Sequence, residues 1–322
     1  MYKTTVLISI LLFMVTTQTY SQTPSSPQKK AESTSTLKIL SWNIYMLPYI
    51  SLFNQNDRRA KTIANKLNDS DYQIIVFQEA FSRKCRGILA KGLLKQYPYQ
   101  YGPANKNRLP FRTNSGLWVV SKIPLTQLGQ FQFRNCKGYD RVARKGAVLF
   151  EGSFNESKFQ LLTTHLQADH TQAVRNKQCS EIKEHLLNPF YRNDTPQFIC
   201  GDFNIDMNDD ANYQQMLEML DAKNGEISGK LQITFDKENN NLAFKAKGKS
   251  KLIDYVLVRN GELIERIERK VQTFFSKIGD LDSNLSDHYA MEFNIDFAIP
   301  FNYTTLPIAV IPIAVAPLVA IK

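Results

Sequence analysis

The chain has 322 residues, of which 40 are Lys or Arg and 30 are Asp or Glu, so its formal net charge at pH 7 is +10. This length allows a large core in one big domain or two ordinary ones, and one domain is favoured because no internal linker is visible. The charge suits a polyanion or a membrane surface as partner, and it equally fits a merely soluble basic surface. The four histidines and four cysteines form no cluster at zinc-site spacing, which excludes that class of metal protein.

The first 21 residues have the three-part pattern of a secretory signal peptide. A basic start at Lys3 precedes an apolar segment from Val6 to Val15, and a polar end follows. The apolar segment is too short to span a bilayer, and no cysteine follows it as a bacterial lipid anchor would require. We predict a signal peptide over residues 1–21, a disordered leader over residues 22–36, and a secreted, periplasmic or cell-surface location.

Two strands and two helices are predicted in the first part of the folded chain. The segment from Leu37 to Ile44 has a strand-like pattern, and a helix follows Asp57, which is a typical N-cap residue. The apolar run from Ile74 to Phe77 predicts a second, buried strand. Apolar spacing over residues 86–96 predicts a second helix.

The middle of the chain contains strands over Leu117 to Val120 and Ala147 to Phe150. The polar connection between them includes Asp140 and Lys145 and is longer than an ordinary hairpin loop. Such a connection is a candidate substrate loop. A strand over Phe159 to Thr164 then leads to a predicted helix from residue 170 to residue 187.

The central motif of the chain is Gly201-Asp202-Phe203-Asn204, which closes the apolar run Phe198-Ile199-Cys200. An apolar run closed by glycine predicts a buried strand that ends in a tight turn. After a polar region from Asn208 to Ser250, a strand over Leu252 to Val258 carries an embedded Asp254. An alternating strand follows Asp287 and His288.

Strands interleaved with a few helices predict an α/β domain built in layers. Because many strands are joined by short connections without helices, we expect mixed or antiparallel sheets that pack face to face, with the helices outside.

Four cysteines follow the predicted signal peptide, and they allow three full disulfide pairings between which the sequence does not choose. Cys200 lies in an apolar strand and is predicted to be a buried thiol. Cys85 and Cys136 lie in polar stretches after strands. They are the pair for which we predict a disulfide, since export places the chain in an oxidising compartment.

Eight polar residues fall at or beside the ends of predicted strands. They are Asn43, Glu79, His165, Asp202, Asn204, Asp254, Asp287 and His288. Each of them alone would more often be a turn residue or one half of an ion pair. Eight such positions arising independently is far less probable than their convergence on one site.

The residue types at these positions favour metal-assisted hydrolysis. The sequence contains no Gly-rich phosphate loop of the Walker type and no serine in a nucleophile elbow. Carboxylate and amide oxygens are hard ligands that suit Mg²⁺, although other divalent cations are possible.

Five motifs resemble those of the endonuclease/exonuclease/phosphatase superfamily, in its usual order. They are Ser41-Trp42-Asn43, Phe77-Gln78-Glu79, Gly201-Asp202-Phe203-Asn204, Ile253-Asp254-Tyr255 and Ser286-Asp287-His288. Within that superfamily, three further segments resemble the neutral, bacterial-type sphingomyelinases: residues 43–48, 140–146 and 164–167. The resemblance covers about Leu37 to Phe297 and implies a four-layer sandwich of two sheets flanked by helices.

The resemblance also implies a role for each polar residue. Glu79 would be the principal Mg²⁺ ligand, with Asn43 and Asp287 beside it. His288 would be the general base, oriented by Asp254. Asp202 and Asn204 would position the attacking water and a phosphate oxygen, and His165 would stabilise the pentacovalent phosphate or assist the leaving alkoxide. Asp140 and Lys145 match a loop that the family uses near its substrate.

The implied activity is hydrolysis of sphingomyelin at a membrane surface, with no protein partner implied. A secreted deoxyribonuclease is the nearest alternative, because the Gly201 and Ser286 motifs suit one almost equally well. The segment Tyr45 to Pro48 and the motif His165-Leu166-Gln167 favour the lipid substrate. A phosphoinositide 5-phosphatase lacks support, since its further Trp and Cys motifs are absent, and a non-enzymatic module would be expected to lose some of the eight polar residues.

These patterns predict a catalytic domain over residues 37–298 and an apolar tail over residues 299–322. In the segment Leu306 to Lys322 a proline recurs every five residues, which fits neither a helix nor a regular strand. Two alternatives remain open for this tail: a segment folded back on the domain, or an interfacial membrane anchor.

Overall fold

Two β-sheets and four α-helices make up the computed structural model, which describes residues 36–47, 55–106, 113–168, 171–243 and 248–298. The predicted signal peptide, the predicted leader up to residue 35 and the predicted C-terminal tail lie outside the described residues. The domain boundaries drawn from the sequence therefore stay predictions.

Fourteen strands are numbered here along the described chain. They are β1 (Thr36–Asn43), β2 (Ile74–Gln78), β3 (Tyr99–Tyr101), β4 (Trp118–Ser121), β5 (Leu125–Gln132), β6 (Gly146–Phe154), β7 (Ser157–His165), β8 (Gln197–Asp202), β9 (Ile227–Ser228), β10 (Asp254–Arg259), β11 (Ile264–Gln272), β12 (Phe275–Ile278), β13 (Leu281–Asn284) and β14 (Ala290–Phe297). The helices are α1 (Asn56–Asn68), α2 (Arg83–Leu93), α3 (Gln172–Ile182) and α4 (Asp210–Leu220). A π-helical turn, Lys183–Leu187, extends α3. None of the described helices is both long and apolar enough to span a bilayer.

The first sheet has seven strands in the order β3-β4-β2-β1-β14-β11-β9, and the second has five in the order β10-β8-β7-β6-β5. β1 and β2 run parallel in the first sheet, as do β7 and β8 in the second. β9 also pairs with β11 in parallel. The remaining neighbouring strands in the two sheets are antiparallel. Strands β12 and β13 form a separate hairpin.

Both faces of the central strands are apolar because each sheet is covered on both sides. In β2, Ile74 and Val76 pack in the cluster between the two sheets, whereas Ile75 and Phe77 pack in the cluster beneath α1 and α2. Ile199 of β8 belongs to a third cluster, which the second sheet forms with α3 and α4. The alternation of side chains along a strand thus produces four layers, helices, sheet, sheet and helices, and the predicted α/β sandwich is confirmed.

The polar region from Asn208 to Ser250 contains a helix that the sequence interpretation missed. In α4, Tyr213, Met216 and Leu220 form its buried face at helical spacing. The helix was missed because its apolar stripe is short and has turn residues on either side.

The predicted disulfide between Cys85 and Cys136 is wrong. Cys85 is buried in α2, where its thiol donates to Asp57 Oδ1 at 3.8 Å. Cys136 packs instead against the outer cluster of the second sheet and accepts from Gln178 Nε2 at 3.8 Å. The two sheets lie between Cys85 and Cys136, so these cysteines do not pair. Cys179 and Cys200 are free thiols as well.

The turn before the central Asp202 requires glycine at position 201. Gly201 has φ +145°, and a Cβ there would lie 2.0 Å from Thr164 O on the neighbouring strand. No L side chain fits this approach without displacing β7 or β8.

We predict that Gly201→Ala lowers the free energy of unfolding by roughly 2–4 kcal/mol, because backbone strain and a steric clash add. Gly87→Ala is the matched control: Gly87 is exposed in α2 with open space around it. That substitution should stabilise the protein by about 1 kcal/mol. Chemical denaturation measures both, and a Gly201→Ala protein as stable as wild type would contradict the prediction.

Candidate active site

All eight polar residues predicted from strand ends lie at one edge of the two sheets. The parallel strands β1 and β2, and likewise β7 and β8, end at this edge, so their last side chains meet there. The antiparallel strands β10 and β14 begin at the same edge, which brings Asp254 opposite Asp202. The order of strands thus gathers residues that lie far apart in the sequence.

A hydrogen bond between Asn43 and Asp202 joins the two sheets at this edge. Asn43 Nδ2 donates to Asp202 Oδ2 at 3.0 Å, and both side chains are buried. Asp202 Oδ1 accepts from the backbone N–H of Asn204 at 3.0 Å, and Asn204 adopts a left-handed backbone with φ 53°. Burial, followed by the charge of Asp254, raises the pKa of Asp202 to about 6.

His288 and Asp254 form the pair expected of a general base and its orienting carboxylate. His288 Nδ1 lies 2.9 Å from Asp254 Oδ2, while Nε2 lies 3.8 Å from Asp202 Oδ2. Burial alone would lower the pKa of His288. The carboxylates of Asp254 and Asp202 outweigh that effect and hold the pKa of His288 well above its usual 6.5.

Backbone contacts fix the segment that carries His288. Trp42 Nε1 donates to His288 O at 3.0 Å, and Ser286 Oγ donates to Asn43 O at 2.6 Å. Both bonds tie this segment to the end of β1. Orientation of the imidazole therefore depends on residues of two different motifs.

Glu79 is a half-buried residue whose carboxylate lacks a full set of hydrogen-bond partners. It follows β2 with a left-handed backbone, φ 54°, and its Oε2 is buried without a hydrogen-bond partner. Burial, followed by the charge of Asp287, raises the pKa of Glu79 to about 7. Burial also raises the pKa of Asp287, against the opposing charges of His288 and Arg59. Two neighbouring carboxylates of this kind favour a cation between them.

Lys145 is buried behind His165 and is bonded on three sides. Its Nζ lies 3.0 Å from Asp140 Oδ2, 2.9 Å from His165 Nε2 and 3.0 Å from Leu166 O. Burial, followed by the charge of Lys145, lowers the pKa of His165 well below 6.5. His165 is therefore neutral near pH 7. Of the predicted substrate residues, Lys145 is only 2% exposed, so it acts through His165.

A divalent cation fits the donors at this edge. Glu79 offers an uncommitted buried oxygen, and Asn43 and Asp287 offer the oxygen ligands that Mg²⁺ prefers. A second group, Asp202, Asp254 and His288, has ligand atoms within 4.8 Å of one another and could also hold a metal by distance. We favour Glu79, because Asp254 is already committed to His288 Nδ1 and Asp202 to Asn43.

Arg59 is a buried residue beside the site that the sequence interpretation missed. It is 1% exposed, and its guanidinium donates to the carbonyl oxygens of Ile44, Tyr45 and Leu285. These carbonyls lie in the segments that carry Asn43 and Asp287. Position 59 falls on the buried stripe of α1, and a charged residue on an apolar stripe was the available signal.

Thr234 and Phe235 were also missed, since they lie in the region interpreted as a polar connection. Thr234 Oγ1 accepts from the backbone N–H groups of Ile253 and Asp254 at 3.1 and 3.2 Å. The ring of Phe235 lies 5.1 Å from that of His288. Both residues support the base and its carboxylate from the side.

Residues 40–288 match the model of a family described as the Endonuclease/Exonuclease/phosphatase family. A Sphingomyelinase C of Leptospira interrogans is 28% identical over 286 residues, covering 79% of this chain and 50% of the relative. A Sphingomyelinase C of Bacillus cereus is 25% identical over 254 residues, covering 70% of this chain and 74% of the relative. The chain thus spans about half the length of the Leptospira relative.

A crystal structure of a beta toxin variant from Staphylococcus aureus, solved with bound magnesium ions, has the same fold. It aligns with a TM-score of 0.69 at 21% identity, covering 82% of this chain and 99% of the toxin. The resemblance to the superfamily and to bacterial sphingomyelinases, stated above from short motifs, is confirmed.

We predict that Arg59→Gln weakens Mg²⁺ binding by about tenfold or more, because the carbonyls beside the metal ligands lose their common donor. Arg58→Gln is the matched control, since Arg58 is exposed on the same helix and its side chain bonds only Gln55 in the described structure. Calorimetric titration of both proteins with MgCl₂ provides the measurement. Equal affinities in the two variants would show that Arg59 does not position the metal site.

A second prediction concerns Glu79 and pH. The raised pKa means that the metal-free protein loses stability as pH rises from 4.5 to about 7, because folding opposes ionisation of this carboxyl. At pH 8, Glu79→Gln should therefore stabilise the metal-free protein, on the order of 2 kcal/mol. Thermal unfolding with chelator measures this.

In the same experiment, excess Mg²⁺ should raise the Tm of the wild type and leave that of Glu79→Gln nearly unchanged. A variant that is destabilised without metal, or that gains as much from Mg²⁺ as the wild type, would rule out Glu79 as the principal ligand.

Proposed function

Because the chain belongs to the endonuclease/exonuclease/phosphatase family, we propose that it hydrolyses the phosphodiester bond of sphingomyelin, in a Mg²⁺-dependent reaction, to ceramide and phosphocholine. In this proposal the enzyme is exported and acts at a lipid surface. The signal-peptide pattern and the net charge of +10 support this location. The relatives described as Sphingomyelinase C support the substrate. The observation that carries the chemistry is the buried His288–Asp254 pair beside Glu79.

His288 acts as the general base in this mechanism. Its Nδ1–H donates to Asp254 Oδ2 at 2.9 Å, which leaves the Nε2 lone pair to take a proton from water. Asp254 also stabilises the imidazolium that results. Glu79 and His288 interact electrostatically. A Mg²⁺ ion held by Glu79 would therefore lower the pKa of His288 toward neutrality.

Asp202 and Asn204 orient the attacking water and one phosphate oxygen. Asp202 lies between the two imidazoles, 3.8 Å from His288 Nε2 and 3.4 Å from His165 Nε2. Asn43 holds its carboxylate in place from the first sheet. When bound by Glu79, Asn43 and Asp287, Mg²⁺ supplies positive charge that neutralises the phosphate oxygens as negative charge grows.

His165 and Lys145 serve the leaving group. In neutral His165, Nε2 accepts from Lys145 Nζ, so the hydrogen bond to the phosphate or to the departing ceramide oxygen would come from Nδ1–H, which has no partner among the described residues. Lys145 Nζ lies 2.9 Å from His165 Nε2 and is buried. The charge of Lys145 is therefore weakly screened and stabilises negative charge nearby. Asp140 holds Lys145 in place and is itself held by the backbone N–H of Ala168 at 2.8 Å.

The pH dependence tests the assigned base. We expect kcat/KM to rise with pH as His288 loses its proton. Asp254→Asn removes the main charge that raises the pKa of His288, so the acidic limb should move to lower pH while the maximal rate falls. Asp282→Asn, at an exposed carboxylate of the β12–β13 hairpin, is the control and should leave the limb in place. An unmoved limb in Asp254→Asn would remove His288 as the titrating base.

The substrate is tested by direct competition with the deoxyribonuclease alternative, which the same fold and the same positive charge would suit. Purified protein is incubated with sphingomyelin vesicles, phosphatidylcholine vesicles and supercoiled DNA, each with Mg²⁺ and with excess chelator. We expect phosphocholine release from sphingomyelin, intact DNA, and no release with chelator. His288→Ala should lower the rate by at least about a hundredfold.

Nicked DNA together with inert sphingomyelin would reverse the order of the two functions. Full release in chelator would contradict the metal-dependent mechanism.

A further inference from the structure

A cavity of about 600 Å³ lies away from the active site, where β10 of the second sheet faces β11 of the first. Its lining includes Val258 and Arg259, at the far end of β10 from Asp254. Arg259 lies five positions along the strand from Asp254, so the two ends of the strand are ~17 Å apart. The proposed hydrolysis uses none of the residues that line this cavity.

Arg269 is the buried cation of the cavity. The residue is 2% exposed and lines the cavity from β11. Its Nε donates to Val256 O at 2.8 Å, which joins the two sheets. Within the described part of the chain, its Nη1 and Nη2 make no hydrogen bond, and no carboxylate lies within 4 Å. Nη1 and Nη2 are not themselves fully buried, so they offer uncommitted donors to an anion in the cavity.

Asn224 is a second unsatisfied group on the same cavity. Its Nδ2 donates to Tyr213 Oη at 2.8 Å, and its Oδ1 is buried without a partner among the described residues. The oxygen and nitrogen of an amide are exchangeable by a flip. After a flip, Tyr213 donates to the oxygen, and the amide nitrogen is a further donor that needs an acceptor.

Gly225 permits the approach of the guanidinium. A Cβ at this position would lie 2.2 Å from Arg269 Nη1, so the absence of a side chain makes room for that nitrogen. Burial lowers the pKa of Arg269 to about 10, which still leaves it cationic at neutral pH. The wall of the cavity thus combines a fixed positive charge with amide donors.

The remaining lining determines what kind of anion fits. Arg259 already pairs with Asp221 at 3.1 Å, so it does not compete for the ligand. The exposed lining residues carry both signs of charge, Glu262 and Glu265 against Lys223 and Arg266, so their charges offset one another and the buried charge left for a ligand is that of Arg269. Apolar atoms of the lining come from Val258, Ile264 and Ile267.

We propose that this cavity binds a small monocarboxylate with an apolar body. Its two carboxylate oxygens accept from Nη1 and Nη2 of Arg269, the paired geometry that a guanidinium favours. The amide of Asn224 contributes a further donor, and the apolar body lies against Val258 and Ile267. A single negative charge balances Arg269, which is the one buried cation of the described lining without a carboxylate partner.

Calorimetric titration of the full chain with hexanoate tests the proposal, with inorganic phosphate and acetate as comparison probes. We expect saturable binding of one hexanoate per chain, weaker binding of acetate because it lacks the apolar body, and no competition by phosphate. Arg269→Met should weaken hexanoate binding by about tenfold or more, as expected for lost charge-assisted hydrogen bonds. Lys270→Met is the control, since Lys270 is exposed on the same strand and is not among the residues that line the cavity.

Arg269→Lys keeps the charge without the paired donors, and it decides the matter if Arg269→Met does not fold. We expect it to weaken hexanoate binding while sphingomyelin hydrolysis stays unchanged, which separates this site from the active site. Absence of hexanoate binding to the wild type, equal binding by wild type and Arg269→Lys, or displacement of hexanoate by phosphate would overturn the proposal.

Discussion

The arrangement of this molecule depends on four carboxylates, two buried and two half-buried, that lie together at one edge of two sheets. They belong to Glu79, Asp202, Asp254 and Asp287. The permanent cations that interact with them are Arg59 and Lys145. Burial, followed by the charge of Asp287, holds the pKa of Glu79 near 7, while the charges of Asp254 and Asp202 hold the pKa of His288 well above 6.5 against the effect of its burial. Such a cluster stores electrostatic repulsion that a divalent cation relieves, so the same charges that cost stability create affinity for a metal and for a phosphodiester bound to it.

The four-layer sandwich makes this cluster possible. Two parallel strand pairs, one in each sheet, end at the same edge, and the Asn43–Asp202 hydrogen bond joins them there. The helices on the outside bury the far faces of the sheets, so the strands that carry the site are covered on both sides and held rigidly. Arg59 extends this support from α1 to the loops at the edge. A phosphoesterase needs this rigidity because its groups must be in position before charge develops.

Much of this could be predicted from the sequence because strand ends are marked by local signals. Apolar runs closed by polar residues located Asn43, Glu79 and Asp202 without any knowledge of their neighbours. Features that depend on tertiary contacts escaped prediction. The sequence does not show that Lys145 is buried behind His165, nor that two sheets lie between Cys85 and Cys136. β11 was missed because five of its nine residues are charged and its apolar residues, Ile264, Ile267 and Val271, do not alternate as in a strand. The burial of Arg269 within it is decided by packing between the sheets.

The central claim is that the metal belongs to Glu79 and leaves the His288–Asp254 pair free to act as a base. Crystals soaked in MnCl₂, with anomalous diffraction data collected at the manganese edge, test it most directly. The account predicts an anomalous peak for a Mn²⁺ ion that Glu79 coordinates, with His288 Nδ1 still bonded to Asp254. A peak held by Asp202, Asp254 and His288, with Glu79 uncoordinated, would contradict it.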